Sequence, residues 1–545
     1  MKIQASQLNY TIGDIEGNTR KILRGIERAK NSGVDVVLFS ELSITGYPPE
    51  DLLLDLSMVD AVEKKLREIA PATRGLFAAV GLPRRNPKKK EKSLCNSAAI
   101  FVDGELIGFK DKILLPTYDV FDERRFFEPG KEQAVFEYLG RRIGVTICED
   151  AWQHGGGIGY SNYSRDPVEE YAEAGIDLLL NLSASPYHYK REDLRAGIFS
   201  SVARTLRCPV VFCNQVGVND QIVFDGHSFY MNEKGDLIQI AKGFAEEDLL
   251  IDLSVHVCGW AKAQNKIADL YAALVMGVRD YFQKQGFVKA VLGLSGGVDS
   301  ALVACIAKDA LGAENVQALA LPSRFSSPES TSDAEELRKR LGISLEKISI
   351  DDVFEHYLTL LEPHFRGLES DITEENLQSR IRGMILMAFS NKFSSILLNT
   401  GNKSEMSMGY TTLYGDMAGG LGVLHDVTKM HVYELARFVN AQKEIIPEAI
   451  FNKAPSAELR LGQKDSDTLP PFEILDPILE DYIEERLTAQ EIADRRGHPI
   501  EFVQGILRKI HAAEYKRRQA PIGIRVTQKA FSKGRNVPIV QKWIH

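Results

Sequence analysis

The sequence lacks long apolar runs, paired cysteine motifs and any excess of positive charge. No stretch approaches the roughly 20 consecutive apolar residues that a membrane helix needs, so no membrane partner is expected. The six cysteines fall singly, at Cys95, Cys148, Cys208, Cys213, Cys258 and Cys305. No C-x-x-C pair occurs, which argues against zinc or dithiol chemistry. A reducing, cytoplasmic setting is expected instead. The formal net charge of −9 argues against a nucleic-acid binder that works by bulk charge. The first residues, Met1-Lys2-Ile3-Gln4, open directly in a strand-like pattern, so no leader peptide is expected. What is ample is core-forming material. Hydrophobic residues make up 44% of 545 residues, enough for roughly two to four domains.

The most informative stretch is Ala290-Val291-Leu292-Gly293-Leu294-Ser295-Gly296-Gly297-Val298-Asp299-Ser300. It begins as a buried-strand run. From Val298 the apolar residues Val298, Ala301, Leu302, Cys305 and Ile306 recur at a helical period. The reading is strand, tight glycine loop, helix N-terminus. That geometry aims backbone N–H groups and the positive end of a helix dipole at an anion. Gly296 and Gly297 permit close backbone approach, and Ser295 and Ser300 add hydroxyls. Asp299 would repel a phosphate unless a Mg²⁺ stood between them. No lysine follows the glycines, so this is not the G-x-x-x-x-G-K-[ST] loop.

Residues 1–260 alternate short apolar runs with helical segments. Strands are expected at 34–39, 97–102, 142–147, 176–182 and 209–214, with a hairpin over 228–240 and a solvated basic loop over 84–92. This alternation implies an α/β sandwich of two sheets. Glu41, Lys112 and Cys148 stand at strand ends. A thiolate is the nucleophilic form of cysteine, and a neighbouring cation lowers its pKa. Lys112 could supply that cation or a donor for an oxyanion. Glu41 could shuttle the thiol proton to a leaving amine. Taken singly, such a cysteine is more often a small core residue, and such a glutamate or lysine a surface group.

The surrounding strings change that balance. Phe39-Ser40-Glu41-Leu42-Ser43-Ile44-Thr45-Gly46-Tyr47, Lys112-Ile113-Leu114-Leu115-Pro116-Thr117-Tyr118 and Gly144-Val145-Thr146-Ile147-Cys148-Glu149-Asp150 resemble, in order and spacing, the nitrilase superfamily of carbon–nitrogen hydrolases. The resemblance implies an α-β-β-α sandwich with Glu41 as general base, Lys112 as oxyanion and orienting group and Cys148 as nucleophile. Glu123 matches the family's frequent second glutamate. Similarity to the glutaminase members further implies that Tyr118, Ser185 and Arg191 hold glutamine, with Arg191 suited to a bidentate carboxylate contact.

In the second half, strands are expected at 316–321, 345–350 and 395–400 after the one that ends at Gly293, alternating with helices. That pattern implies a doubly wound parallel sheet, whose ligands lie at the carboxyl ends of the strands. Asn399-Thr400-Gly401-Asn402-Lys403-Ser404-Glu405 reaches the same end. There Lys403 could hold a phosphate and Glu405 could share Mg²⁺ with Asp299. The domain boundary is expected at 262/263. No low-complexity linker separates the halves, so they are expected to pack together.

The Ser295–Ser300 string resembles the SGG-x-DS loop of the ATP pyrophosphatases. Together the two halves look like the glutamine-dependent NAD synthetases, over essentially the whole chain. That resemblance implies hydrolysis of glutamine, adenylation of deamido-NAD with ATP and displacement of AMP by ammonia. It places ATP on Gly293, Leu294, Ser295, Gly296, Gly297, Val298, Asp299, Ser300 and Thr400, deamido-NAD on Asn376, Glu405 and Lys516, and Mg²⁺ on Asp299 and Glu405. It also implies a homodimer or larger homo-oligomer. Two alternatives stand beside it. One is another glutamine-dependent pyrophosphatase amidotransferase. The other is an amidase governed by a nucleotide-sensing module.

Overall fold

The apolar runs of the first half become two six-stranded sheets. One runs Glu247–Asp252, Lys2–Gln7, Val36–Leu38, Phe77–Arg85, Leu94–Val102, Glu105–Asp111. The other runs Leu237–Ile240, Phe229–Met231, Val210–Asn214, Leu178–Ser183, Arg141–Ile147, Val135–Tyr138. Each has a parallel centre and antiparallel edges. The computed structural model describes residues 1–88, 91–154, 163–189, 191–255, 265–441 and 443–543.

Side chains alternate across a strand, and that period sorts the first sheet into layers. Ile3, Ala5, Val36, Leu38, Phe77 and Ala79 face the second sheet and share a core with Val145, Leu180 and Val211. Val37, Phe39, Ala78 and Val80 face the other way, against Ile22, Ile26, Val62 and Ile69 of helices Ile15–Asn31 and Leu56–Ala72. On the far side, Tyr171 of helix Pro167–Ala174 and Phe199, Val202 and Ala203 of helix Arg191–Leu206 join the core of the second sheet. The result is an α-β-β-α sandwich. One expectation needs correction. Arg84 and Arg85 complete the strand Phe77–Arg85 instead of opening a solvated loop, and Arg84 forks onto Asp111 at 2.6 and 3.0 Å. Lys89 and Lys90 of that stretch lie outside the described residues.

The second half carries a five-stranded, all-parallel sheet in the order Ser344–Lys347, Val316–Ala320, Lys289–Gly293, Ser395–Asn399, Leu421–Gly422. Helices Lys266–Gln285, Val298–Leu311 and Lys429–Asn440 pack together on one face. Helices Asp351–Phe365 and Ile372–Lys392 cover the other, where Phe354 and Ile381 meet Val291, Leu319 and Leu397. The strand order reverses between Lys289–Gly293 and Ser395–Asn399, which opens a crevice at their carboxyl ends. Helices Phe472–Ile483, Ala489–Arg496 and Ile500–Ala512 form a further apolar cluster.

The chain divides into two compact units, Met1–Gln264 and Asn265–His545. The expected boundary at 262/263 lies outside the described residues, within 256–264. Among the described residues no helix is long and apolar enough to cross a membrane.

Candidate active sites

In the first unit, strand Arg141–Ile147 delivers Cys148 into a turn with φ +42°, a left-handed conformation strained for a non-glycine residue. The turn is held from two sides. The Cys148 N–H donates to the Leu182 carbonyl at 2.9 Å. The buried Asp150 carboxylate accepts from the N–H groups of Ile147 at 3.2 Å, Ile113 at 2.9 Å and Leu114 at 2.8 Å. One carboxylate thereby fixes the nucleophile turn to the segment that follows Lys112.

Lys112, Glu41 and Glu123 converge beside it, all buried. The Lys112 ammonium donates to Glu41 Oε1 and Glu123 Oε1, each at 2.7 Å. Asn96 Nδ2 donates to Glu41 Oε1 at 2.7 Å and to Glu123 Oε2 at 3.4 Å. The Tyr47 hydroxyl donates to Glu123 Oε1 at 2.9 Å, and the Ala184 N–H to Glu41 Oε2 at 3.2 Å. Burial pushes Glu123 up to about 7, with Glu41 adding to the shift against the pull of Lys112. Burial and then Glu41 push the Cys148 thiol well above its ordinary value, outweighing Lys112. Lys112 does lower the thiol, as expected, but burial and Glu41 together outweigh it. The Lys112 ammonium is already engaged by two carboxylates, a geometry that favours the thiol over the thiolate and leaves Glu41 beside it to accept a proton.

Of the residues expected to hold glutamine, the Tyr118 hydroxyl donates to Glu149 Oε2 at 2.8 Å. Ser185 is buried in a turn built by a network that the sequence reading missed. Its N–H donates to Asn214 Oδ1 at 2.8 Å, and Arg195 Nη2 reaches its hydroxyl at 3.4 Å. Arg195 in turn forks onto Asp225 at 3.0 and 3.1 Å, with His227 Nδ1 on the same carboxylate at 2.9 Å. The side chain of Arg191 lies outside the described residues.

In the second unit the glycine string forms the expected turn between strand Lys289–Gly293 and helix Val298–Leu311. Gly296 has φ +80°, and a Cβ there would stand 2.3 Å from the Ser330 carbonyl oxygen, so only glycine fits. The hydroxyls partly serve the loop itself. Ser300 Oγ donates to the Gly297 carbonyl at 3.0 Å and lies 3.1 Å from Ser295 Oγ. Two cavities open at the switch point. Gly293, Leu294 and Ser295 line one of about 290 Å³, with Leu321, Leu386 and Thr400. Ser295, Gly297, Val298, Asp299 and Ser300 line one of about 220 Å³, with Thr400, Glu405, Lys429 and Asp465.

Asp299 accepts from Asn402 Nδ2 at 2.9 Å and pairs with the Lys429 ammonium, which lies 3.5 Å from Glu405. Glu405 belongs to a capping box with Asn402 at the start of helix Lys403–Met408. Burial pushes Glu405 up to about 8 against the pull of Lys429, and Asp299 and Asp465 add to the shift. The cluster thus holds more carboxylate than one ammonium balances, and its hard oxygen donors fit Mg²⁺.

One expectation changes here. The Lys403 ammonium is buried away from the cavity, on Glu484 at 2.8 Å, Thr527 Oγ1 at 2.7 Å and Asp426 at 3.0 Å, so it is no phosphate ligand. Asn376 and Lys516 line neither cavity. Asn376 Oδ1 accepts from Thr412 Oγ1 at 2.7 Å, and Lys516 Nζ donates to the carbonyls of Gly409 and Thr411 at 2.8 and 2.6 Å. Both brace the loop that follows Glu405. Lys429 escaped the sequence reading, although it carried a signal. A lysine at the first position of a helix opposes the dipole, which suggests a partner elsewhere.

Comparison with known proteins agrees with both geometries. The carbon-nitrogen hydrolase family matches residues 2–261, and the NAD synthase family matches residues 270–520. The chain is 43% identical to the glutamine-dependent NAD(+) synthetase of Thermotoga maritima, over 100% of this chain and 99% of that one. It is 43% identical to that of Synechocystis sp., over 99% and 98%. The structure of the glutamine-dependent NAD+ synthetase from Acinetobacter baumannii in complex with adenosine diphosphate shares 39% identity and a TM-score of 0.79, covering 99% of each chain. That from Cytophaga hutchinsonii, at 23% identity, shares the fold with a TM-score of 0.84, over 99% and 98% of the chains. Matched in both units and along its length, the chain belongs to the glutamine-dependent NAD(+) synthetases.

Proposed function

We propose that Cys148, Glu41 and Lys112 hydrolyse glutamine in the first unit, and that the Gly293–Ser300 loop positions ATP for adenylation of deamido-NAD in the second. Chemically the chain is a ligase that makes NAD from deamido-NAD, ATP and glutamine. The observation that carries the residue assignment is the strained, buried Cys148 turn beside the Glu41–Lys112–Glu123 cluster.

Glu41 takes the thiol proton as Cys148 Sγ adds to the glutamine amide carbon. Lys112 faces the oxyanion that forms, and Glu41 returns the proton to the departing ammonia. Water then opens the thioester with Glu41 again as base, which releases glutamate. Tyr118, Ser185 and Arg191 hold the amino and carboxylate groups of glutamine. In the second unit the nicotinate carboxylate of deamido-NAD attacks the α-phosphorus of ATP, and pyrophosphate leaves. Ammonia then displaces AMP from the acyl adenylate. Gly293 to Ser300 and Thr400 bind ATP. Asn376, Glu405 and Lys516 contact deamido-NAD, Asn376 and Lys516 from where they also brace the loop after helix Lys403–Met408. Mg²⁺ held by Asp299 and Glu405 would neutralise charge on the phosphates. The reading also places the protein in the cytoplasm, where the unpaired cysteines Cys95, Cys148, Cys208, Cys213 and Cys305 would stay reduced.

Exposed apolar side chains on and between helices Asp351–Phe365 and Ile372–Lys392 (Leu360, Leu368, Ile372 and Met384) support a homodimer formed by this face. With ATP, Mg²⁺, glutamine and deamido-NAD supplied, NAD, AMP, pyrophosphate and glutamate should appear together. Failure of deamido-NAD to trigger pyrophosphate release would overturn the reading. Light scattering should show a dimer that Leu360→Lys with Met384→Lys converts to monomer.

A further inference from the structure

Outside both sites, three side chains of the first unit with metal-ligand chemistry point at one another. His154 stands just past helix Glu149–Trp152. Asp166 caps helix Pro167–Ala174, and Glu169 sits in its first turn. His154 Nδ1 lies 3.1 Å from Asp166 Oδ2 and 3.8 Å from Glu169 Oε1, and the three ligand atoms fall within 4.8 Å of one another.

The two acids alone have an ordinary explanation, because carboxylates suit the positive end of a helix. The histidine does not share it. Asp166 Oδ1 does the capping, accepting from the N–H groups of Val168 at 2.9 Å and Glu169 at 3.3 Å. That leaves Oδ2 free to face the imidazole. One ring N–H serves one carboxylate, and the Asp166 contact uses it. Glu169 Oε1 then approaches a nitrogen that has no further proton to give. Two carboxylates and one imidazole nitrogen converge with too few protons between them.

A metal ion satisfies all three at once. Two ligand atoms about 2.1 Å from a tetrahedral zinc stand about 3.4 Å apart. The distances of 3.1 and 3.8 Å bracket that spacing. A nitrogen in the set disfavours Mg²⁺ and Ca²⁺, whereas imidazole with carboxylate suits Zn²⁺. The imidazole is also held in place. Its side chain is 7% exposed, and Nε2 lies 2.8 Å from Thr205 Oγ1 of helix Arg191–Leu206. That hydroxyl is the outer partner a zinc-bound imidazole needs for its second N–H. The Glu169 side chain is 57% exposed, so an ion can enter from solvent, with water completing its shell.

We propose that His154, Asp166 and Glu169 form a zinc site. It pins the segment leaving the Cys148 turn to helix Pro167–Ala174 and, through Thr205, to helix Arg191–Leu206. The site contains no cysteine, so cysteine spacing gives no sign of it.

The test is calorimetric titration of the chelator-stripped full chain with Zn²⁺. Excess Mg²⁺ is present to saturate oxygen-only clusters, and melting temperature is followed alongside. Cys148→Ala controls for zinc on the thiol. One zinc per chain should bind to the wild type and to Cys148→Ala, and should raise the melting temperature of both. Asp166→Asn keeps a capping side chain and Glu169→Gln alters an exposed group, so both should fold. Each should weaken that binding about tenfold or more and lose the thermal gain, and Thr205→Val should cost about tenfold as an outer partner. No zinc bound by the wild type, loss of the zinc in Cys148→Ala, or wild-type affinity in Asp166→Asn or Glu169→Gln would overturn the proposal.

Discussion

Cys148 stands among buried carboxylates, and the Lys112 ammonium beside it already has two partners. The thiol is therefore expected to keep its proton until Glu41 removes it. A thiolate difference absorbance between the wild type and Cys148→Ala should stay flat through neutral and mildly alkaline pH. A thiolate signal appearing near pH 7 would show a preformed ion pair instead. Cys148→Ala should abolish glutamine-supported NAD synthesis and leave ammonium-supported synthesis near wild type. Loss of both activities in a folded variant would contradict two independent sites. Cys148 and the glycine string were legible because each is a short run of neighbours in which the chemistry and the turn coincide. Lys429 and Asp465 were not, because they lie 130 residues or more along the chain from Asp299, and only the folded sheet collects them.

Two turns show what an element contributes. The Ser185 turn hangs on Asp225, whose carboxyl is pushed up by burial but held well below the usual range by Arg195 and His227. A carboxylate depressed in the folded state stabilises above its unfolded pKa of about 3.9 and loses that stabilisation as pH falls toward the lower folded value. Asp225→Asn leaves Arg195 buried without its counter-charge and should cost about 3–5 kcal/mol near neutral pH. Urea midpoints should show the gap from wild type shrinking below about pH 4. A gap constant with pH would rule the charge pairing out. The second turn is the glycine loop. Gly296→Ala forces the loop off helix Pro328–Leu341, and a displacement of about 1 Å is enough to cost roughly a hundredfold in rate. Pyrophosphate release should fall by that order while glutamine hydrolysis persists. Unchanged release would mean that the loop does not hold ATP. The alternation of strands and helices made both architectures legible. Strand limits were less so, because Arg84 reads as a loop residue until Asp111 is seen opposite it.

For the whole molecule the question is how two reactions stay in step. Ammonia free in neutral water becomes ammonium and loses its nucleophilic lone pair, so leakage wastes glutamine. Coupling requires that occupancy of the second unit favour the active state of the first, a free-energy link that acts in both directions. Glutamate release should rise several-fold when ATP and deamido-NAD are added, with glutamate and NAD formed in comparable amounts. Equal glutamate rates with and without deamido-NAD, and NAD labelled from added ¹⁵N-ammonium, would refute it. Asp299→Asn should stop pyrophosphate release with either nitrogen source and remove that stimulation.

The two units lie on one polypeptide of 545 residues. Every round of translation delivers one ammonia source and one ammonia consumer, so gene expression has no handle on their ratio. A cell cannot correct an over-active hydrolase by making more synthetase. Selection for thrift with nitrogen must therefore act on the turnover numbers of the two units, and variants that speed one should be tolerated only alongside changes that speed the other.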